Sequence, residues 1–296
     1  MRPVVVALGN FDGVHLGHQA VLARAVEEAR ELGGRVVAAT FWPHPRSVLG
    51  AGASPVLLTT IEGRREALLE HGADEVRAIP FDRDLSRKSP EEFVRDVLVG
   101  ELGARAVVVG ENFRFGYKAA GDFAELRRLM RKGGGDAHAV EVRGARGEIS
   151  STRIRSLLLE GDVAGAAGLL GRPYAVRGEV VTGDRRGRTI GFPTANVRVD
   201  PAVVVPARGV YACTVRIGDK NHAACTNVGV APTFERGENR IEAHLLDFAG
   251  DLYGRVVAVG FLERVRGERR FSGVDELKEQ IGRDVREARR LLQGSV

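Results

Sequence analysis

The chain has 296 residues, 44% of them hydrophobic and 28% charged, with a formal net charge of +5. That length exceeds the usual single domain and implies two, each able to bury a core of its own. The basic excess is interleaved with acids, as in Arg264-Val265-Arg266-Gly267-Glu268-Arg269-Arg270, instead of forming a stripe with interspersed aromatics, so no nucleic-acid partner is expected.

The same excess suits small polyanions such as ATP, and a solvated charged surface explains it equally well. No apolar stretch approaches the roughly 18 residues that span a bilayer, and the chain opens on a strand pattern with no leader-like charged and apolar run. Neither a membrane partner nor an export signal is expected. Cys213 and Cys225 have no metal-ligand spacing and make no disulfide framework, which points to thiols in a reducing cytoplasm.

The first apolar run, Val4 to Leu8, leads into Gly9-Asn10-Phe11-Asp12-Gly13-Val14-His15-Leu16-Gly17-His18. A strand, a glycine-bearing turn and a helix start bring orphan backbone N–H groups and the positive dipole end beside two histidines that share one face. Gly17 removes a side chain where a ligand would meet the backbone, and His15 and His18 can donate to phosphate oxygens. Two surface histidines are the plainer reading of such a pair; the glycines and the preceding strand favour a nucleotide site.

Leu22, Val26, Ala29 and Leu32 then recur at helical spacing up to Gly33-Gly34, and a second strand covers Val36 to Phe41. Thr59-Thr60-Ile61-Glu62 and Ser89-Pro90-Glu91-Glu92 read as capping boxes that start two helices. A third strand, Ala106 to Val109, runs into Gly110-Glu111-Asn112-Phe113-Arg114-Phe115-Gly116. Alternating strands and helices predict a parallel α/β sheet, whose ligands bind at strand carboxyl ends.

Ile149-Ser150-Ser151-Thr152-Arg153-Ile154-Arg155 opens a helix with hydroxyl caps, a second helix spans Asp162 to Leu170, and Gly171-Arg172-Pro173 marks a boundary between units 1–171 and 172–296. Beyond it the period changes to two. Ala175–Val181, Val210–Ile217, His222–Val228, Arg240–Phe248 and Val256–Leu262 read as strands of a small antiparallel barrel of five or six strands. A helix from about Asp275 to Leu292 closes the chain, with Leu277, Ile281, Val285 and Ala288 on one face.

GNFDGVHLGH resembles the His-x-Gly-His signature of the nucleotidyltransferases, in the form carried by prokaryotic bifunctional riboflavin kinase/FMN adenylyltransferases. Trp42-Pro43-His44-Pro45, GENFRFG and ISSTRIR follow in the family's order. The resemblance implies a Rossmann-like nucleotidyltransferase unit followed by a riboflavin kinase barrel. It implies that His15, His18 and Arg155 face the ATP triphosphate, with Gly9, Phe11, Asp12 and Gly17 in the phosphate loop. Ser150, Ser151 and Thr152 either hold phosphate or cap their helix. Asn112 resembles the family's flavin-positioning polar residue, and on its own reads as a turn asparagine. Phe113 and Phe115 either stack on the flavin or belong to the core, and His44 is read as a rigid corner between prolines.

In the second unit, Gly183-Asp184-Arg185-Arg186-Gly187-Arg188-Thr189-Ile190-Gly191-Phe192-Pro193-Thr194-Ala195-Asn196 contains GFPTAN, similar to the riboflavin kinase signature. Gly183, Gly187 and Gly191 would let backbone approach phosphates, while Thr194 and Asn196, two apart, could offer neutral oxygens to Mg²⁺ and its ATP. A hairpin turn with a half-exposed strand is the plainer alternative. Glu242 alternates with Ile241, Ala243 and Leu245, which by pattern makes it an exposed strand carboxylate; the resemblance implies the general base for the riboflavin 5′-hydroxyl. Phe192, Arg270 and Phe271 are flavin-pocket candidates. Thr182 departs from the family, where many relatives have histidine.

Riboflavin, FMN and ATP are thus the expected partners, with Mg²⁺ as cofactor and a homo-oligomer left open. A monofunctional enzyme with one silent unit and a non-catalytic flavin-binding regulator are the alternatives; assays begun separately from riboflavin and from FMN discriminate them.

Overall fold

The computed structural model describes residues 2–50, 56–141, 143–144, 147–183, 187, 190–230 and 239–293. Asp184, Arg185, Arg186, Arg188 and Thr189 of the glycine-rich signature lie outside the described residues. The chain forms two compact units, Met1–Ser151 and Thr152–Val296.

In the first unit, β1 (Val4–Leu8), β2 (Arg35–Trp42), β3 (Glu75–Pro80), β4 (Ala104–Gly110) and β5 (Asp136–Val140) form one parallel sheet in the order β3-β2-β1-β4-β5. Alternation along β1 sends Val4, Val6 and Leu8 to one apolar layer and Val5 and Ala7 to the other, as a strand covered on both faces requires. Helix α1 (Leu16–Glu31) packs Val21, Leu22, Ala25 and Ala29 into the second layer. The opposite layer receives Phe93, Val94, Val97 and Leu98 from a π-helix, Phe93–Glu101. It continues the turn started by the expected Ser89–Glu92 capping box.

Strand order runs outward from β1 to β3, then returns to β4. The switch point therefore lies between the carboxyl ends of β1 and β4, where an open α/β sheet leaves its crevice. Strands β3 and β5 were not anticipated. Both are sheet edges, and β3 buries only Val76 and Ile79, so neither carries the apolar run that marks a central strand. The other expected capping box is corrected: Thr60, not Thr59, caps the helix Ile61–Glu70, its Oγ1 accepting from Gly63 N at 3.1 Å.

In the second unit, six strands close an antiparallel barrel. They are Tyr174–Val181, Ala195–Val199, Gly209–Ile217, Lys220–Val230, Asn239–Leu245 and Val256–Arg266. The second of these, Ala195–Val199, is signalled in the sequence only as the half-exposed strand alternative around Thr194 and Asn196, because five residues directly after a glycine- and proline-rich loop give too short a period to read. Helices Ser151–Glu160 and Val163–Leu170 precede the barrel, the latter capped by Asp162 and ended by Gly171. The closing helix, Val274–Leu291, packs Val285 and Ala288 against Val210, Ala212 and Cys225. Among the described residues no helix is long and apolar enough to cross a membrane.

Candidate active sites

The loop after β1 is built against its own conformational preferences. Phe11 and Val14 take left-handed backbone angles, φ 50° and 42°, which a bulky or β-branched residue adopts only when its surroundings compel it. The Phe11 ring is buried against Gly9, whose Cβ would stand 3.3 Å from that ring. Asp12 is also buried, and its carboxylate accepts from Leu58 N, Thr59 N, the Thr59 hydroxyl and the Arg64 guanidinium at 3.0 to 3.3 Å. Both Phe11 and Asp12 thus shape the loop from within.

His15 is the N-cap of α1: its Nδ1 accepts from His18 N at 3.3 Å. An accepting Nδ1 puts the neutral ring's proton on Nε2, leaving an N–H donor. The two imidazoles stack with centroids 3.6 Å apart and planes 17° from parallel. Burial, then the neighbouring His15 imidazole and the Arg64 charge, hold the His18 imidazole well below the ordinary histidine value. At neutral pH it is therefore an uncharged hydrogen-bonding group. Gly17, between the two histidines in sequence, is buried.

Ser151 donates its hydroxyl to Asp12 O at 2.8 Å, tying the start of its helix to the loop. Ser150 is half-buried and Thr152 exposed; Arg155 lies one turn further along the helix, half-buried. Asn112 is exposed on the turn after β4. Phe115 is in the core, beside Phe93, and Phe113 stacks on it with centroids 5.7 Å apart. His44 caps a five-residue helix, Pro45–Leu49, through Nδ1.

The barrel unit contains a cavity of about 700 Å³. Gly187, Phe192 and Thr194 line it from one loop, Glu242 from the fifth barrel strand, Arg270 and Phe271 from the segment before the closing helix, and Leu277, Ile281 and Val285 from that helix. Asn196 stands opposite Glu242 on neighbouring strands. Its side chain occupies space that a Cβ at Gly183 would fill, 2.4 Å from Nδ2. Likewise a Cβ at Gly187 would lie 2.4 Å from Phe192 O and 3.4 Å from Thr194 Oγ1. Gly191 supplies a left-handed turn, φ 91°.

Several charged residues that organise these sites drew no notice in the sequence. Arg240 donates from Nε to Asn196 Oδ1 and pairs through Nη2 with Glu242 Oε1, both at 2.9 Å, so one guanidinium spans the two strands. His244 Nδ1 meets Pro193 O at 2.8 Å, and its ring packs edge-on against Phe192, anchoring the GFPT loop. Buried Asp284 accepts three bonds from Arg266 at 2.7 to 3.0 Å and one from Gln280. Arg266 in turn lies 5.8 Å from the Phe271 ring centroid.

A doubly wound sheet with histidines at its switch point, joined in one chain to a barrel lined by a carboxylate, hydroxyl and amide, defines a two-unit transferase class. Residues 1–153 match the FAD synthetase family model and residues 170–292 the riboflavin kinase model. The bifunctional riboflavin kinase/FMN adenylyltransferase of Escherichia coli K12 is 40% identical over 287 residues, 96% of this chain and 91% of the relative. Its counterpart in Bacillus subtilis is 38% identical over 288 residues, with the same coverages. A crystal structure described as a macrolide-efflux protein from Streptococcus pneumoniae superposes with a TM-score of 0.89 at 34% identity, covering 97% of this chain and 94% of that one. The chain belongs to the bifunctional riboflavin kinase/FMN adenylyltransferase family.

Proposed function

We propose that this protein makes FMN from riboflavin and ATP in its barrel unit, and FAD and pyrophosphate from FMN and ATP in its α/β unit, in the cytoplasm and with small molecules alone as partners. The functional boundary is taken at 171/172. The convergence of Thr194, Glu242, Phe192, Arg270 and Phe271 on one cavity, from three separated segments, carries the reading.

In the kinase reaction Glu242 accepts the proton of the riboflavin 5′-hydroxyl as that oxygen attacks the γ-phosphorus, and the bond to the departing ADP breaks. Phe192 and Phe271 offer apolar and aromatic surface to the flavin rings, and Arg270 a cation at the cavity rim. Thr194 and Asn196 would hold Mg²⁺; their neutral oxygens suit a hard cation, and Thr194 lines the cavity together with Gly187. When bound, Mg²⁺ neutralises developing phosphate charge.

In adenylyl transfer an FMN phosphate oxygen attacks the α-phosphorus of ATP and expels pyrophosphate. No covalent protein intermediate is needed, so positioning and hydrogen-bond donors do the catalysis. His15, through its Nε2–H, and His18 supply those donors, backed by the N–H groups at the start of α1. Asn112, on the turn after β4, would contact the flavin side of the substrate.

The test is chromatography of products after incubating purified protein with ATP, Mg²⁺ and either riboflavin or FMN. FAD from both substrates is expected. FMN as the sole product from riboflavin with FMN left unconverted, or no product at all, contradicts the assignment.

A further inference from the structure

Arg64 is fully buried, one turn into the helix Ile61–Glu70, and no step described above uses it. Its Nη1 donates to Asn10 O at 2.8 Å and to Thr40 Oγ1 at 3.2 Å, its Nη2 reaches Asp12 Oδ1 at 3.3 Å, and the guanidinium lies 5.7 Å from the Trp42 ring centroid. Those partners come from both ends of one problem. Asn10 and Asp12 flank Phe11, which is held in a left-handed conformation; Thr40 and Trp42 form the end of β2. Thr40 also donates to Asn10 O at 2.8 Å, and Thr59 Oγ1 links Gly13 N to Asp12.

We propose that Arg64 is a positioning residue for adenylyl transfer: its guanidinium fork fixes the Asn10–Asp12 stretch to the end of β2, and so sets where the His15–His18 pair meets the triphosphate. A lysine keeps the charge but is a point donor, unable to span Asn10 O, Thr40 Oγ1 and Asp12 with a rigid plane. The same charge has a second effect. The titratable and charged groups facing His18 are His15 and Arg64, and both disfavour its imidazolium, so Arg64 helps keep that ring neutral. The inference rests on the adenylyl-transfer reading of this unit.

The test compares wild type, Arg64→Lys and Arg64→Met in the full chain. The three readouts are FMN-to-FAD kinetics, emission of Trp42, which is the single tryptophan, and NMR titration of His18. Expected in Arg64→Met is a fall in kcat for FAD formation on the order of 100-fold, as for about 1 Å of misplacement, with a far smaller change in the KM for ATP. The His18 titration moves up in Arg64→Met and stays put in Arg64→Lys, which recovers only part of kcat. Riboflavin phosphorylation is unaffected in both.

Wild-type kcat in Arg64→Met overturns the proposal. So do losses that merely track the unfolded fraction, read from Trp42 emission, in both variants alike, since those would make Arg64 structural alone. Failure of the wild-type protein to convert FMN would instead overturn the adenylyl-transfer reading, a result separate from either.

Discussion

Removing the Asp284 carboxylate should weaken the barrel unit and its flavin cavity together. Asp284 is 4% exposed and accepts four hydrogen bonds, three of them from Arg266. Asp284→Ala leaves the Arg266 guanidinium, 22% exposed as a side chain, without its carboxylate. Breaking a buried pair from one side costs about 3–5 kcal/mol. Arg266 keeps its bond to Gly267 O at 2.9 Å and some contact with water, so the low end, about 3 kcal/mol, applies. For a unit of this size that corresponds to a fall in Tm of roughly 10 °C.

Arg266 also lies over Phe271, and both line the cavity. The KM for riboflavin should therefore rise in Asp284→Ala while conversion of FMN to FAD is retained. Calorimetry of the full chain, with kinetics of each reaction on the same preparation, makes the check. A barrel transition moved by less than about 2 °C, under 1 kcal/mol on the same scale, with an unchanged riboflavin KM, would refute the reasoning.

Further outcomes follow from other sites. The folded His18 imidazole takes its proton only well below the ordinary value, whereas the unfolded chain protonates near pH 6.5. The unfolded state thus binds more protons in that window, and stability is lost as pH falls below about 6.5. His18→Gln should lose less of its urea midpoint than wild type between pH 7.5 and 5.5; equal losses would contradict this. Burial pushes the Cys225 thiol up to about 12 and Cys213 higher still, so iodoacetamide at pH 8 should modify neither in the native protein and both in urea, although Cys225 lines the cavity. Fast native alkylation would exclude that environment. Gly187→Ala drives a Cβ against Phe192 O and should depress FMN formation while leaving FMN-to-FAD conversion; undiminished kinase turnover would contradict the close packing of that loop.

Much of this architecture was legible in advance because it is written in local patterns. The apolar run before Gly9 marks the first parallel strand, and the change from helical to period-two spacing after Pro173 marks the start of the barrel strands. The edge strands β3 and β5 were not legible, since an edge buries little and carries polar residues. The charged residues of the sites stayed hidden for a different reason. Arg64 sits in Gly63-Arg64-Arg65-Glu66 and Asp284 in Arg283-Asp284-Val285-Arg286, where each resembles a solvated helix face. Their partners are 52 and 18 positions away, and only the tertiary fold brings them together. Thr59 shows the same limit: it has the residue type of a helix cap, yet it braces Asp12.

The division of labour between the units is tested most directly by product chromatography of Glu242→Gln and His18→Ala, each incubated with ATP, Mg²⁺ and either riboflavin or FMN. Glu242→Gln should make no FMN yet convert FMN to FAD, and His18→Ala should accumulate FMN without FAD. Equal loss of both activities in either folded variant would contradict two independent sites.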